Sequence, residues 1–307
     1  MKALLVLAFG GPRSLEEVEF LLTRLFRGRK PSPEQLEQIK ERYRLIGGFS
    51  PLLGITEQQA KALEEKLHAK GHSVRSYVGM RYSHPLIEEA VGEIIRDGIR
   101  EVIALPMAPF RSRASTGAYI EEVNRVKENL EERMETTFVT GWHIHPLFLE
   151  AVRERIREGL REFPPGARKS AHLIFTAHSL PKSIVEKDPY ARDFEASVQG
   201  VLREIEPLPW HMAFQSKGRG AEEWVGPDVE TLLEGLSGEG VRNVLIVPVG
   251  FVSDHIEILY DIDVVFKKKA ESLGMILRRS PSLNLSERFI DALASAVEEQ
   301  MHGDDHA

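Results

Sequence analysis

The residues best suited to chemistry lie where an apolar run gives way to acidic residues late in the chain. Val244–Val247 predicts a buried strand, and the helix that follows is expected to be capped by Ser253 or Asp254. Asp254, Glu257 and Asp261 have i, i+3 and i+7 spacing, which places three carboxylates on one helix face. Like charges at this spacing repel each other, so the face is either fully solvated or neutralised, and a cation is the obvious neutralising group.

A second junction of the same kind ends at His178. Leu173–Ala177 predicts a buried strand, and His178 follows it directly. A neutral imidazole here could accept a proton or bind a metal, or it could only cap the turn. Glu257 alone would be an ordinary solvated residue. However, open α/β sheets bind ligands at the carboxyl ends of their strands, so His178 and Glu257 are predicted to converge on one point.

Positioning these side chains requires parallel sheets, and the alternation of short apolar runs with helical patterns predicts them. This alternation of strand and helix patterns falls into two halves that meet near Gly141. It predicts two similar doubly wound α/β domains, 1–140 and 141–285, with a cleft between them. Helix 286–301 is a candidate to pack back on the first domain. The predicted strands are Ala3–Phe9, Ser73–Gly79, Glu101–Pro106, Thr136–Thr140, His172–Ala177, Trp210–Phe214, Val241–Pro248 and Met275–Arg279.

Composition excludes several classes of function. The 307 residues carry a net charge of −7, which argues against general nucleic-acid binding. The sequence has no cysteine, which excludes disulfides, thiolate metal sites and cysteine-bound iron–sulfur clusters. Residues 1–9 fit a buried strand better than a signal peptide, and no stretch has the length of a transmembrane helix. We therefore expect a cytoplasmic protein.

Two N-terminal segments leave alternatives open. The turn at residues 9–12 (FGGP) could cradle a phosphate or admit a flat ligand, although the known phosphate-loop patterns are absent. Residues 20–30 combine an apolar helix with a basic end. They fit either a lip for an amphiphilic acid or a membrane surface, or a core-facing helix. Arg42 could bind a carboxylate in bidentate fashion or be an ordinary surface arginine.

Several ordered motifs extend through nearly the whole chain, and with them the sequence resembles the ferrochelatases, most closely the cysteine-free bacterial kind that acts on coproporphyrin. Because these motifs are long and occur in order, the resemblance is specific. They are residues 27–31 (RGRKP), 46–52 (IGGFSPL), 55–60 (ITEQQA), 176–181 (TAHSLP), 215–217 (QSK), 224–228 (WVGPD) and 248–257 (PVGFVSDHIE).

The resemblance implies two Rossmann-like domains and insertion of Fe²⁺ into a porphyrin for heme biosynthesis, with coproporphyrin III favoured. It implies that Fe²⁺ is a substrate and that neither an organic cofactor nor an iron–sulfur cluster is used. His178 and Glu257 become the facing catalytic and metal-binding pair, with Asp261 as a further metal residue. The positions expected to contact the porphyrin are Phe9, Arg27, Arg42, Ser50 and Tyr119.

Four positions depart from the family pattern. Phe9 stands where the coproporphyrin enzymes commonly have a tyrosine that can ligate iron, and Phe26 stands where an arginine is frequent. Val265 replaces a further acid one turn beyond Asp261, and Tyr82 replaces a histidine of some members. We therefore expect this chain to differ from the family in its axial contact to iron and in one propionate contact. The run of acidic residues that continues from Glu257 through Asp261 should also be shorter.

Other functions share parts of this pattern. A protoporphyrin IX ferrochelatase, or a cobalt or nickel chelatase for sirohydrochlorin-like rings, would use the same His and acid chemistry. A non-catalytic tetrapyrrole carrier would not require three aligned acids. The expected partners are porphyrin and ferrous iron without nucleic acid, and residues 20–30 are a candidate contact with a membrane surface or a heme-pathway enzyme.

Overall fold

The computed structural model describes residues 1–130, 134–218 and 222–303, and the chain divides into two compact units. The first unit comprises Met1–Ala108, Ser115–Trp142 and the chain from Asn284 onward, and the second comprises Pro109–Ala114 and His143–Leu283. Residues 109–114 thus belong to the second unit, whereas the division expected at residue 140 assigned them to the first.

Each unit contains a four-stranded parallel sheet, and the two sheets are wound in the same order. The strand order is β2-β1-β3-β4 in the first and β6-β5-β7-β8 in the second. The predicted fold class is therefore confirmed. The strands are β1 (Lys2–Ala8), β2 (Val74–Met80), β3 (Glu101–Pro106), β4 (Glu135–Phe138), β5 (His172–His178), β6 (Trp210–Gln215), β7 (Asn243–Val247) and β8 (Ile276–Arg279).

Helices flank the sheets. The sequence pattern predicts one of them over Ala118–Arg133, and that predicted end lies outside the described residues. Their bounds are α1 (Val18–Leu25), α2 (Pro33–Leu45), α3 (Leu52–Ala69), α4 (Ile87–Arg96), α5 (Thr116–Asn129), α6 (Pro146–Arg161), α7 (Pro165–Arg168), α8 (Lys182–Val185), α9 (Tyr190–Leu202), α10 (Val229–Gly238), α11 (Ile256–Leu259), α12 (Lys267–Ser272) and α13 (Glu287–Gly303).

Helix α3 begins earlier than the sequence suggested. The sequence pattern favours a connection over residues 52–55 and a helix that begins at Thr56, but Leu52 already lies in the first turn. Leu52 and Leu53 are buried, and the Thr56 hydroxyl donates to the Leu52 carbonyl at 2.7 Å from within the helix. Burial of the two leucines thus outweighs the preference of threonine for a helix start.

The first unit is built around β1, whose residues Ala3 to Leu7 have no exposed surface. Helices α4 and α5 cover the sheet with an apolar cluster that includes Val91 and Val123. The last helix, α13, packs on α3 in the same unit. There Lys66 pairs with Asp291, and Gln59 Nε2 donates to the Asn284 carbonyl at 2.8 Å.

The second unit is built around β5 in the same way, since Leu173 to Ala177 are fully buried. Ile174 and Ile246 from the sheet pack with Ile258 and Ile262 from the segment after β7. That segment, the predicted acidic helix, therefore has an apolar face that anchors it to the sheet and a polar face left for chemistry.

Candidate active site

His178 is the last residue of β5, and a glycine brings the acidic segment over it. Gly250 follows β7, and its backbone N–H donates to the Thr176 carbonyl at 3.0 Å. A Cβ at Gly250 would lie only 2.8 Å from the Ala177 Cα. Because glycine has no side chain, the chain can cross β5 at this short distance and carry Glu257 to the end of the strand.

The acidic segment is not one regular helix. Helix α11 begins at Ile256 with His255 at its N-cap, and Asp261–Phe266 is π-helical before α12 begins. The expectation that Ser253 or Asp254 caps a helix with three acids on one face is wrong. Asp254 precedes the helix, and its Oδ1 accepts a hydrogen bond from the Ser282 hydroxyl at 2.7 Å.

Glu257 and His178 are in direct contact. His178 Nε2 lies 3.3 Å from Glu257 Oε1, and their side chains are 34% and 26% exposed. The other ring nitrogen, His178 Nδ1, lies 2.5 Å from the Ser179 carbonyl and donates to it. This bond fixes the ring so that Nε2 faces the carboxylate. The sequence-based expectation that the two residues meet matches this geometry.

The pair is polarised as an imidazolium and a carboxylate. Burial alone would lower the pKa of His178, but the charge of Glu257 and its hydrogen bond raise that pKa to about 9. Burial likewise opposes ionisation of Glu257, yet the His178 charge holds the pKa of this carboxyl well below its usual range. Before any ligand arrives, His178 therefore carries a proton, in contrast to the neutral imidazole considered from sequence.

Three neighbours support the pair, and sequence reasoning gave none of them a role. His255 Nε2 lies 3.6 Å from Glu257 Oε2. Gln215, at the end of β6, donates from Nε2 to the Glu257 carbonyl at 2.8 Å. The Tyr190 hydroxyl donates to the His178 carbonyl at 2.8 Å. Gln215 opens the QSK motif directly after a predicted strand, and that position was the available signal.

Asp261 lies further along the segment and has its own partner. The hydroxyl of Ser216, which follows β6, donates to Asp261 Oδ2 at 2.5 Å. Among the described residues, no group of three His, Asp or Glu side chains stands ready to hold a metal ion together. His178, Glu257 and Asp261 thus lie in one region as a contacting pair and a separate acid, rather than as a preformed three-ligand site.

The residues expected to contact porphyrin lie in the first unit. Phe9, just beyond β1, is 42% exposed, and its ring centroid is 4.6 Å from that of Tyr82. Ser50 is buried, and its backbone N–H donates to the Pro12 carbonyl at 2.8 Å. A Cβ at Gly11 would lie 2.5 Å from the Ser50 side chain, so the predicted turn at residues 9–12 touches the motif at residues 46–52.

The remaining three differ in accessibility. Tyr119 is only 6% exposed and belongs to the core cluster, where burial raises the pKa of its hydroxyl. Arg42 is half-buried near the end of α2. Arg27 is exposed just after α1, at a left-handed φ of 55°. The arginines thus present charge at the surface, whereas Tyr119 lies mainly in the core.

Residues 20–30 expose apolar and basic side chains together. Phe20 and Leu25 are exposed, and Arg27, Arg29 and Lys30 follow them at the surface. Leu21 and Leu22 are buried, so the same helix has one side that faces the core and another that is exposed. In the described part of the chain, no helix has the length and apolar character needed to cross a bilayer.

Comparison with known proteins identifies the family. The Ferrochelatase family model matches residues 1–301. A ferrochelatase of Herpetosiphon aurantiacus is 40% identical over 297 residues, covering 96% of this chain and 97% of that protein. A coproporphyrin III ferrochelatase of Geobacillus kaustophilus is 39% identical over 298 residues, covering 96% of this chain and 94% of that protein.

A solved structure shares the fold. The sirohydrochlorin chelatase SirB of Bacillus subtilis subspecies spizizenii, in complex with cobalt, has a TM-score of 0.58 at 12% identity, with 99% of this chain and 97% of that chain covered. The family model and the curated relatives show that the chain is a metal chelatase. Within that class, it belongs to the ferrochelatase family.

Proposed function

We propose that this ferrochelatase inserts Fe²⁺ into coproporphyrin III and that His178 and Glu257 form the insertion point. The observation that supports these roles most directly is the 3.3 Å contact between His178 Nε2 and Glu257 Oε1 at the carboxyl end of β5. Family membership supports the reaction, and the presence of coproporphyrin III ferrochelatases among the relatives supports the choice of porphyrin.

The reaction must move two protons and one dication. Two pyrrole N–H bonds break, Fe–N bonds form, and two protons leave, so that charge is conserved while the metal loses water. Glu257 and Asp261 offer carboxylate oxygens that can replace this water. Because Glu257 is ionised in the pair, it is ready to accept the cation without first losing a proton.

The charge state of the pair gives His178 a role that depends on the metal. The Glu257 carboxylate is what raises the pKa of His178 to about 9. When Fe²⁺ neutralises that carboxylate, the attraction for the imidazolium proton weakens and the pKa of His178 falls. His178 then releases its proton and becomes a base for a pyrrole N–H. Metal arrival would thereby create the base that deprotonates the ring.

The porphyrin contacts are proposed from the family resemblance. Phe9 is exposed and apolar and suits the face of a macrocycle, while Arg27 and Arg42 can pair with propionates. Coproporphyrin III carries more propionates than protoporphyrin IX, which favours a site with several cations. Ser50 would contact the ring beside Gly11, which lies against it. Tyr119 would act mainly from the core, by supporting the surface that the ring contacts.

The remaining features of the proposal are chemical and cellular. Iron is the substrate, and the reaction needs neither an organic cofactor nor an iron–sulfur cluster; the absence of cysteine supports the second point. We place the protein in the cytoplasm. Its net charge of −7 argues against a nucleic-acid partner. The exposed apolar and basic residues 20–30 would contact a membrane surface or a heme-pathway enzyme.

The test compares ring substrates side by side under anaerobic, reducing conditions. Loss of porphyrin fluorescence on adding Fe²⁺ is measured with coproporphyrin III, protoporphyrin IX and sirohydrochlorin. We expect coproporphyrin III to be fastest, with a loss of about 10²-fold or more in His178→Ala. His72→Ala is the matched control, because His72 pairs with Glu298 at 2.9 Å in the first unit.

Three results would each correct a different part of the proposal. Faster turnover of protoporphyrin IX or sirohydrochlorin would reassign the substrate. Wild-type rates in His178→Ala would remove the insertion point from β5. Tight porphyrin binding without metallation in wild type would make the protein a carrier.

A further inference from the structure

Arg279, a residue outside the proposed reaction site, holds the acidic segment from the opposite side. It is the last residue of β8, and its side chain is only 15% exposed. Its Nε lies 2.9 Å from Asp263 Oδ1 and its Nη2 lies 2.9 Å from Asp263 Oδ2. These two parallel bonds form a bidentate arginine–carboxylate pair, which fixes orientation as well as distance.

The same guanidinium reaches a second carboxylate before the helix. Arg279 Nη1 lies 3.4 Å from Asp254 Oδ1, and the Ser282 hydroxyl donates to that same oxygen at 2.7 Å. Asp254 and Asp263 bracket the stretch that contains Glu257 and Asp261. One largely buried guanidinium thus holds a carboxylate on each side of Glu257.

The acidic segment is therefore held by both edge strands of its sheet. On the β6 side, Gln215 donates to the Glu257 carbonyl, and Ser216 donates to Asp261. On the β8 side, Arg279 holds Asp254 and Asp263. The sheet order β6-β5-β7-β8 puts these two attachments at opposite edges, with β5 and its His178 between them.

The base of this support is rigid. Arg279 is paired in register with Ile246 of β7, and the next residue, Ser280, donates from its backbone N–H to the Ile246 carbonyl at 2.9 Å. Helix α6 approaches so closely that a Cβ at Gly159 would lie 3.0 Å from the Ser280 Cα. The guanidinium therefore projects from a backbone that has little freedom to shift.

The structure assigns Arg279 as a positioning residue that sets Glu257 opposite His178, an inference that rests on the proposed function of that pair. The regular α-helix stops after four residues at Leu259 and gives way to the π-helical stretch. So short a helix has little stability of its own. Contacts from other elements must therefore stabilise this segment. Arg279 supplies such contacts from β8.

The experiment substitutes each partner of the Arg279–Asp263 pair and measures metallation and porphyrin binding separately. Arg279→Gln and Asp263→Asn are assayed for metallation with Fe²⁺ and Zn²⁺, and porphyrin binding is measured by fluorescence titration without metal. We expect kcat/KM for metal to fall about 10²-fold in each, since small misplacements of a reacting group have such effects. Porphyrin affinity should stay at the wild-type value.

Two further variants separate positioning from stability and from charge. Arg153→Gln is the matched control, because Arg153 is buried in the same unit and donates to the Gly200 carbonyl at 2.8 Å. It should lower the thermal midpoint without changing KM for metal. Arg279→Lys should not restore activity, because an ammonium cannot span two carboxylates with fork geometry.

The outcomes distinguish this inference from the proposed function. If Glu257→Gln is slow while Arg279→Gln and Asp263→Asn retain wild-type kinetics for metal, the inference is overturned and the proposed function stands. If Glu257→Gln is as fast as wild type, the proposed function fails first. Should Arg279→Gln not fold, Asp263→Asn carries the test alone. A double variant no slower than either single variant would confirm that the two residues act together.

Discussion

Strand β5 has a histidine at each end. One of them faces a carboxylate, and the other faces a second histidine. At the carboxyl end His178 faces Glu257. At the amino end His172 Nδ1 lies 3.0 Å from His211 Nε2 of β6, and the two rings are parallel to within 7°. One ring of this second pair must donate and the other accept, so at least one is neutral.

The partner decides which end of the strand holds a proton. Glu257 raises the pKa of His178 to about 9 despite burial. Burial lowers the pKa of His172, and burial together with the charge of His172 lowers the pKa of His211. The same side chain on one strand therefore carries a positive charge at the proposed reaction site and tends to be neutral at the opposite edge. A chemical role for histidine cannot be inferred from its position on a strand alone.

The largest expected effect comes from removing the carboxylate at the carboxyl end. Glu257→Gln should lower the metallation rate about 10²-fold or more, since it removes both the proposed metal ligand and the group that raises the pKa of His178. The pKa of His178 should fall from about 9 toward its ordinary value of 6.5, because only the Ser179 carbonyl and Asp261 then oppose the effect of burial. Titration of the His178 ring by NMR measures the shift. A pKa that stays near 9 would mean that another group charges the imidazole.

A smaller expected effect is on the pH dependence of the free energy of unfolding, which should differ between the two ends of β5. For His178, whose folded pKa is raised, the stabilisation is fully present below pH 6.5 and is lost as the pH rises through about 9. For His172 and His211, whose folded pKa values are lowered, the stabilisation is present above pH 6.5 and is lost as the pH falls below it. The two pairs therefore give the free energy of unfolding opposite slopes.

Urea unfolding at a series of pH values tests these slopes. His211→Gln should flatten the decline below pH 6.5, and His178→Asn should flatten the decline toward pH 9. Each contribution should be on the order of 1 kcal/mol, because both pairs are partly exposed to solvent. If both variants changed the same side of the profile, the contrast between the two ends would be wrong.

The smallest effect concerns the backbone of His178. Tyr190→Phe removes the hydroxyl that donates to the His178 carbonyl. It should cost about 1 kcal/mol of stability, as for an ordinary hydrogen bond, and reduce the metallation rate only slightly. A loss as large as that of Glu257→Gln would show that the strand end, rather than the ion pair, limits the reaction. Thermal denaturation and the fluorescence assay together measure both quantities.

The sheets were predictable because their central strands β1, β3, β5 and β7 are buried and have apolar runs in the sequence. All eight predicted strands occur, and their boundaries lie within two residues of the observed ones. The apolar runs are local signals, and so are the positions of His178 at the end of one strand and of Glu257 in the segment that follows another. The fold class and the meeting of these two residues could therefore be derived from the sequence.

What could not be derived depends on partners distant in sequence. Asp254 looked like a helix cap, but its partner Arg279 lies 25 positions away and is placed by the parallel register of β8. His255 seemed unremarkable because the start of α11 depends on the loop that crosses β5. The His172–His211 pair likewise arises from how β5 and β6 align. No local pattern encodes these contacts.

The packing of α13 on α3 has a consequence for the order in which the chain can fold during synthesis. Lys66 and Gln59 in the first unit bond to Asp291 and Asn284, which are translated after the whole second unit. Chains usually fold from the N-terminus as they leave the ribosome. The first sheet is complete in sequence at Phe138 and can form early, whereas α3 gains its contact with α13 only when synthesis is nearly finished.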